Sequence, residues 1–119
     1  MSYDIALYDK IFLKRAIKEK LGDWTGSDPI PESTLHNIRE ALIKSGYTLE
    51  FEGDDYQEYE KKMSGCPVEV SVFKNEIAYT IPYWENAEEA VAAAIIEAKN
   101  LAKMNDLGYF DGQEDEAVY

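Results

Sequence analysis

The sequence predicts an α+β fold: a two-layer sandwich in which a mostly antiparallel sheet of four to five strands carries three helices, in the order β-α-α-β-β-β-α-(β). Three observations lead there. Between Pro67 and Met104 two alternating strand patterns run straight into a long alanine-rich stripe at helical spacing. A strand pattern followed by two helical stripes occupies the first 46 residues, and helices therefore stand at both ends of a run of strands.

Taken in order, Tyr3, Ile5 and Leu7 alternate with Asp4, Ala6 and Tyr8 as a first strand, and Asp9 is placed to cap the first helix. Phe12, Leu13, Ala16, Ile17 and Leu21 form the inner face of that helix, whose outer side collects Lys10, Lys14, Arg15, Lys18 and Lys20, with Gly22 as its terminator. Asp23 to Pro31 reads as an ordered loop, with Trp24 folded onto the core as a lid. Pro31 opens a second helix with the stripe Leu35, Ile38, Ala41 and Leu42, and Gly46 supplies the left-handed residue beyond it.

Tyr47, Leu49 and Phe51 alternate as the next strand, after which the pattern stops. From Glu50 to Glu60 the chain reads as a charged loop, and Met63 to Pro67 as a turn containing Cys66. Val68, Val70 and Val72 then alternate with polar residues, as do Ile77, Tyr79 and Ile81. With Lys74-Asn75 as a two-residue turn, Asn75 taking positive φ, counting outward sets Val72 opposite Ile77, Val70 opposite Tyr79 and Val68 opposite Ile81. Pro82 ends that strand, and Asn86 with Glu89 makes a capping box for the long helix. Its stripe is Ala87, Ala90, Val91, Ala94, Ile95, Ala98, Leu101 and Ala102. Gly108 comes late for a stop signal, and the tail from Leu107 holds two apolar patches that suit an edge strand or hairpin.

A chain of 119 residues makes a single domain, 1–119, and no apolar run approaches the roughly 20 residues of a membrane span. The start lacks a secretory signal, and the lone Cys66 precludes an internal disulfide, so a cytoplasmic setting is expected. Twelve basic against 24 acidic side chains give a net charge of −12, which disfavours nucleic acid and anionic membranes and favours a cationic partner. Catalytic signatures are missing. His36, between Glu32 and Glu40, reads as a surface histidine; Cys66 has no histidine near it in sequence; and the tail carboxylates do not match the calcium-loop spacing. No enzyme, cofactor or metal is therefore expected.

Glu50, Glu52, Asp54, Asp55, Glu58 and Glu60 form an acidic run with Phe51, Tyr56 and Tyr59 interleaved. Acidic groups beside aromatic rings suit the docking of Lys and Arg, because the ring adds contact area and a cation–π attraction. With all helices on the face of Ile5, Leu49, Val70 and Tyr79, the reverse face is expected to show Asp4, Tyr8, Glu50, Glu52, Glu69, Phe73 and Glu76. The expected partner-binding residues are thus Glu50, Glu52, Asp54, Asp55, Tyr56, Glu58, Tyr59, Glu69, Phe73 and Glu76.

The opening Met1-Ser2-Tyr3-Asp4-Ile5-Ala6-Leu7 and the closing Leu107-Gly108-Tyr109-Phe110-Asp111-Gly112-Gln113 resemble the two ends of a group of small, mostly uncharacterised bacterial proteins. In that group proline usually stands at the position of Gly112. The resemblance implies a split βαβ, ferredoxin-like sandwich and a role as immunity partner of a bacterial toxin, and it carries over no catalytic residue. The expected function is that of a non-enzymatic acidic protein neutralising a basic toxin, such as a nuclease, by stoichiometric binding. The alternative is a small-ligand or regulatory binding module with an aromatic-lined pocket, built from the nine tyrosines, Trp24 and Trp84.

Overall fold

The computed structural model describes residues 2–24, 26–84 and 87–119. Its elements run β1 (Ser2–Asp9), α1 (Lys10–Lys18), α2 (Glu32–Lys44), β2 (Thr48–Glu52), β3 (Tyr56–Met63), β4 (Cys66–Phe73), β5 (Ile77–Pro82), α3 (Ala87–Met104), β6 (Leu107–Asp111) and β7 (Glu116–Val118). The strands form one antiparallel sheet in the order β2-β3-β4-β5-β1-β6-β7. Strands β5 and β6 both run antiparallel to β1, hence parallel to each other, and α3 joins them: a split βαβ unit with β1 in the gap.

Seven strands replace the expected four to five, and β3 and β7 are the additions. β3 lies within the stretch that reads as a charged loop and turn, because Tyr59 is the one buried residue among its eight. Its strand character comes from neighbours, since it is paired along its length with β4 and again with β2. β7 completes the expected hairpin of the tail, pairing Tyr109 with Val118 and Asp111 with Glu116.

The β4–β5 hairpin has the expected register, with Val70 opposite Tyr79, Val72 opposite Ile77, and the Phe73 amide donating to the Glu76 carbonyl at 2.8 Å. Its turn differs in one respect. Asn75 is not at positive φ, and the turn is instead strapped from outside. The Ile30 amide donates to the Lys74 carbonyl at 2.8 Å, and the Ser27 hydroxyl to the Asn75 carbonyl at 3.2 Å.

Alternation on the central strands separates two cores. Ile5, Leu7, Val68, Val70, Val72, Ile77, Tyr79 and Ile81 face Leu35, Ile38 and Leu42 of α2 and the alanines of α3. Ala90, Ala94 and Ala98 are wholly buried, so the α3 backbone can lie close against the sheet. The Asn86–Glu89 capping box falls on a residue outside the described ones.

The expectation that all helices share one face is not met. α1 lies on the opposite side, where Phe12, Leu13 and Ala16 pack with Tyr8 into a second core flanked by Ala6, Trp24 and Phe110. The cause is local: Asp9 caps α1 immediately after β1, its carboxylate accepting from the Phe12 amide at 3.0 Å, so the strand turns directly onto its own Ala6–Tyr8 side. Trp24 acts as the expected lid, but over this second core, with its ring centroid 4.8 Å from Phe110 and 5.3 Å from Tyr8. Cys66 belongs to β4 rather than to a turn and is fully buried, which pushes its thiol pKa up. Among the described residues no helix is long and apolar enough to cross a membrane.

Candidate binding surfaces

With α1 covering the β1–β6 part of the reverse face, the part left open is carried by β2, β3 and β4. Tyr56 sits directly opposite Phe73, their rings stacked at 5.0 Å and 19°, and Phe51 extends the row with its ring 5.3 Å from Tyr56. Phe51 reaches this side through a register shift between Leu49 and Phe51, and it is 46% exposed. Its ring lies over Gly53, where a Cβ would stand 2.9 Å from Cε1 and would push the ring aside. Beside the aromatic row, Glu58 opposes Ser71 and Glu60 directly opposes Glu69. Burial, then Glu58, then Glu60, raise the pKa of Glu69, as expected when like charges crowd on adjacent strands.

Of the ten expected docking residues, Tyr56, Glu58, Glu69 and Phe73 are thus brought together, with Phe51 and Glu60 from the same run. Glu76 is on the same side but engaged elsewhere. It is raised by burial, and it accepts from the Tyr8 hydroxyl at 3.2 Å, an interaction that partly offsets the rise. Tyr8 itself is buried beneath α1 rather than displayed. Tyr59 is not a docking aromatic either: it pairs with Leu49 and Val70 on the core side and is 4% exposed. Glu50 stands exposed at the β2 irregularity, and Glu52, paired with Gln57, goes to the other face.

Glu52, Asp54 and Asp55 line a second feature, a cleft of about 660 Å³ between the β2–β3 hairpin and α2. Asp54 and Asp55 form the hairpin tip, closed by the Gly53 amide donating to the Tyr56 carbonyl at 2.9 Å. The helix wall presents Glu32, His36, Arg39, Glu40 and Lys44, with Lys74 at the β4–β5 turn and Leu35, Tyr59 and Val72 below. Arg39 pairs with Glu32 at 2.5 Å and His36 with Glu40 at 3.3 Å, which places the histidine on the surface as expected. This cavity is lined mainly by charge. Tyr59 and Phe73 are its aromatic contributors, whereas Trp24 belongs to the second core and Trp84 lines a separate pocket with Tyr83.

The sequence reading missed Arg39, Lys44 and Lys74 as the basic residues that line the cleft with Glu52, Asp54 and Asp55. Arg39 and Lys44 fall on the helix flank beside the apolar stripe, a position that carries no periodic signal. Among the described residues no group of His, Cys, Asp or Glu is arranged to hold a metal ion. No family model, no curated protein and no solved structure matches this chain.

Proposed function

We propose that this chain is a non-enzymatic, cytoplasmic binding protein that captures a basic partner protein stoichiometrically, in the manner of an immunity protein that neutralises a cationic toxin. The docking surface is the open part of the reverse face: the Phe51–Tyr56–Phe73 row flanked by Glu58, Glu60 and Glu69. The observation that carries this reading is the direct Glu60–Glu69 cross-strand pair beside an aromatic row in which Phe51 is exposed and Tyr56 and Phe73 are half-buried. A facing like-charge pair costs a few tenths to about 1 kcal/mol, and the exposed part of the Phe51 ring gains little for the isolated fold. Both become favourable against Lys and Arg side chains, which supply opposite charge and stack on aromatic faces. A net charge of −12 adds long-range attraction that speeds encounter with a basic protein at low salt.

The test pairs capture with stability. Wild-type chain and the double variant Glu58→Lys/Glu69→Lys are used to capture proteins from the native host. The wild type should retain a basic protein that about 0.5 M salt releases, because screening weakens exposed charge pairs. The double variant should lose that protein while its thermal midpoint stays level or rises, since the repulsion within the sheet is relieved. Retention of the same protein by the double variant overturns the proposed surface.

A further inference from the structure

The reverse face of the sheet is stepped. α1, nine residues and about 13 Å long, stands on β1 and β6. Beside it β2, β3 and β4 lie bare, about 10 Å from the first of these strands to the last. A helix is about 10 Å across, so the step is one helix high and the bay one helix wide. α2 and α3 are on the other side of the sheet and do not fill it.

The two levels of the step complement each other. Ile11, Lys14, Arg15 and Lys18 are exposed on α1, at spacings of three, four and seven that put them on one stripe. Ile11 is 74% exposed, an apolar side chain with cations on the turns that follow it. The bay presents the Phe51–Tyr56–Phe73 row, with Glu58, Glu60 and Glu69 alongside and Lys62 at the far end. Ser71 and Ala78, paired across β4 and β5, are small residues beside the glutamates, and they let a helix come close. Lys14 and Arg15 already lie over rings of their own chain, Tyr119 at 5.5 Å and Phe12 at 5.6 Å, yet both remain exposed. An apolar contact ringed by cations is what the aromatic row and its glutamates would take, and α1 carries one on its outer side.

We infer that two copies of this chain associate face to face about a twofold axis, each seating the outer stripe of its α1 in the β2–β4 bay of the other. Because stripe and bay share one face, a single twofold rotation makes both contacts, and the pair closes instead of growing into a filament. The two α1 helices then form one layer between two sheets. Net charges of −12 repel, but at about 0.1 M salt the Debye length is about 10 Å, which screens the copies as wholes more than the groups in contact. The bay is also the surface proposed above for a basic partner, which would therefore compete with the second copy; the stripe on α1 serves the second copy alone.

The purified full chain is followed by sedimentation velocity over a range of concentrations at about 0.1 M salt. A monomer–dimer equilibrium is expected, with a Kd of about 10–500 µM. Lys14→Glu/Arg15→Glu/Lys18→Glu and Glu58→Lys/Glu69→Lys should each weaken the dimer by about tenfold or more, one charge-assisted contact being worth about that factor. Mixed in equal amounts, the two variants should pair about as tightly as wild type, since a reversed stripe then meets a reversed bay and a native stripe a native bay. Both variants stay net negative, so general attraction does not explain such recovery, and the recovery also shows that both are folded. The α1 reversal leaves the bay intact, so a failure of self-association and a failure of partner capture are told apart. Any of four results overturns the proposal: a monomer throughout up to about 1 mM; a dimer that survives either reversal, which would place the contact on another surface; masses above that of a dimer; or a mixture no tighter than the separate variants.

Discussion

Lys20 carries a cost that its neighbours in the chain do not explain. It sits at φ 53°, the left-handed residue after α1, and the Leu21 amide donates back to the Ala16 carbonyl at 2.9 Å to close a Schellman motif. The same motif ends α2, where Gly46 at φ 97° takes the equivalent place and the Tyr47 amide donates to the Leu42 carbonyl at 3.0 Å. Gly22 is two residues too late to serve α1. A left-handed conformation costs a residue with a Cβ about 1–2 kcal/mol, so Lys20→Gly should stabilise the protein by about 1 kcal/mol, read as a higher urea midpoint at unchanged slope. Single residues also set the limit on reading the docking surface from sequence. The shift at Glu50 sends Phe51 to the side of Glu58 and Glu52 to the other, whereas a strict period of two places both wrongly.

At the level of elements, the contact between α1 and β6 is the one most exposed to test. Gly108 lies under Leu13, and a Cβ there would stand 2.6 Å from Leu13 Cδ2. Gly108→Ala should therefore destabilise by about 1–3 kcal/mol through overpacking. In a Leu13→Ala background, itself costly by about 2–5 kcal/mol, the added loss should nearly vanish, and a double-mutant cycle in urea would measure that coupling. Independent costs that simply add would mean the backbone can move to absorb the methyl group.

The same level shows which elements could be read in the chain. The β4–β5 hairpin, the α2 and α3 stripes, the Asp9 cap and the Gly46 stop all come from alternation, helical spacing or capping chemistry, each a local property. β3 was illegible because its faces meet unlike surroundings. Gln57 lines the charged cleft and Tyr59 the core, while Glu58 and Glu60 face solvent, so hydrophobic alternation never develops. The side taken by α1 was illegible for a related reason: Ala6 and Tyr8 are apolar enough for either face, and the choice is made by Trp24 and Phe110 from distant parts of the chain.

For the molecule as a whole, acidity has a direction that can be measured. Glu69, Glu76 and Glu97 all have native pKa values raised by burial above the ordinary 4.5. At Glu97 the rise is opposed by the Tyr47 hydroxyl at 3.2 Å, by Lys61 and by the Tyr79 hydroxyl at 3.3 Å. A carboxyl that holds its proton more tightly when folded gives the native state more bound protons than the unfolded chain between the two pKa values. Stability from these groups is therefore gained as pH falls from the raised native values toward 4.5 and lost as pH rises through them. The thermal midpoint should climb as pH is lowered from neutrality toward 4.5, opposite to the usual acid trend. Glu97→Gln should flatten that climb and leave the midpoint at pH 7.5 level or higher.

The position of Ser2–Asp9 has a last consequence, for the time course of folding. Its two neighbours in the sheet are remote along the chain: seventy residues separate Leu7 from Ile77, and more than a hundred separate Ile5 from Asp111. The middle of the sheet thus cannot close until nearly the whole chain is present, so loop-closure entropy is spent before those contacts are rewarded. Until then an early-made apolar segment waits without a mate, and refolding is set by that search rather than by the quick local hairpins around it.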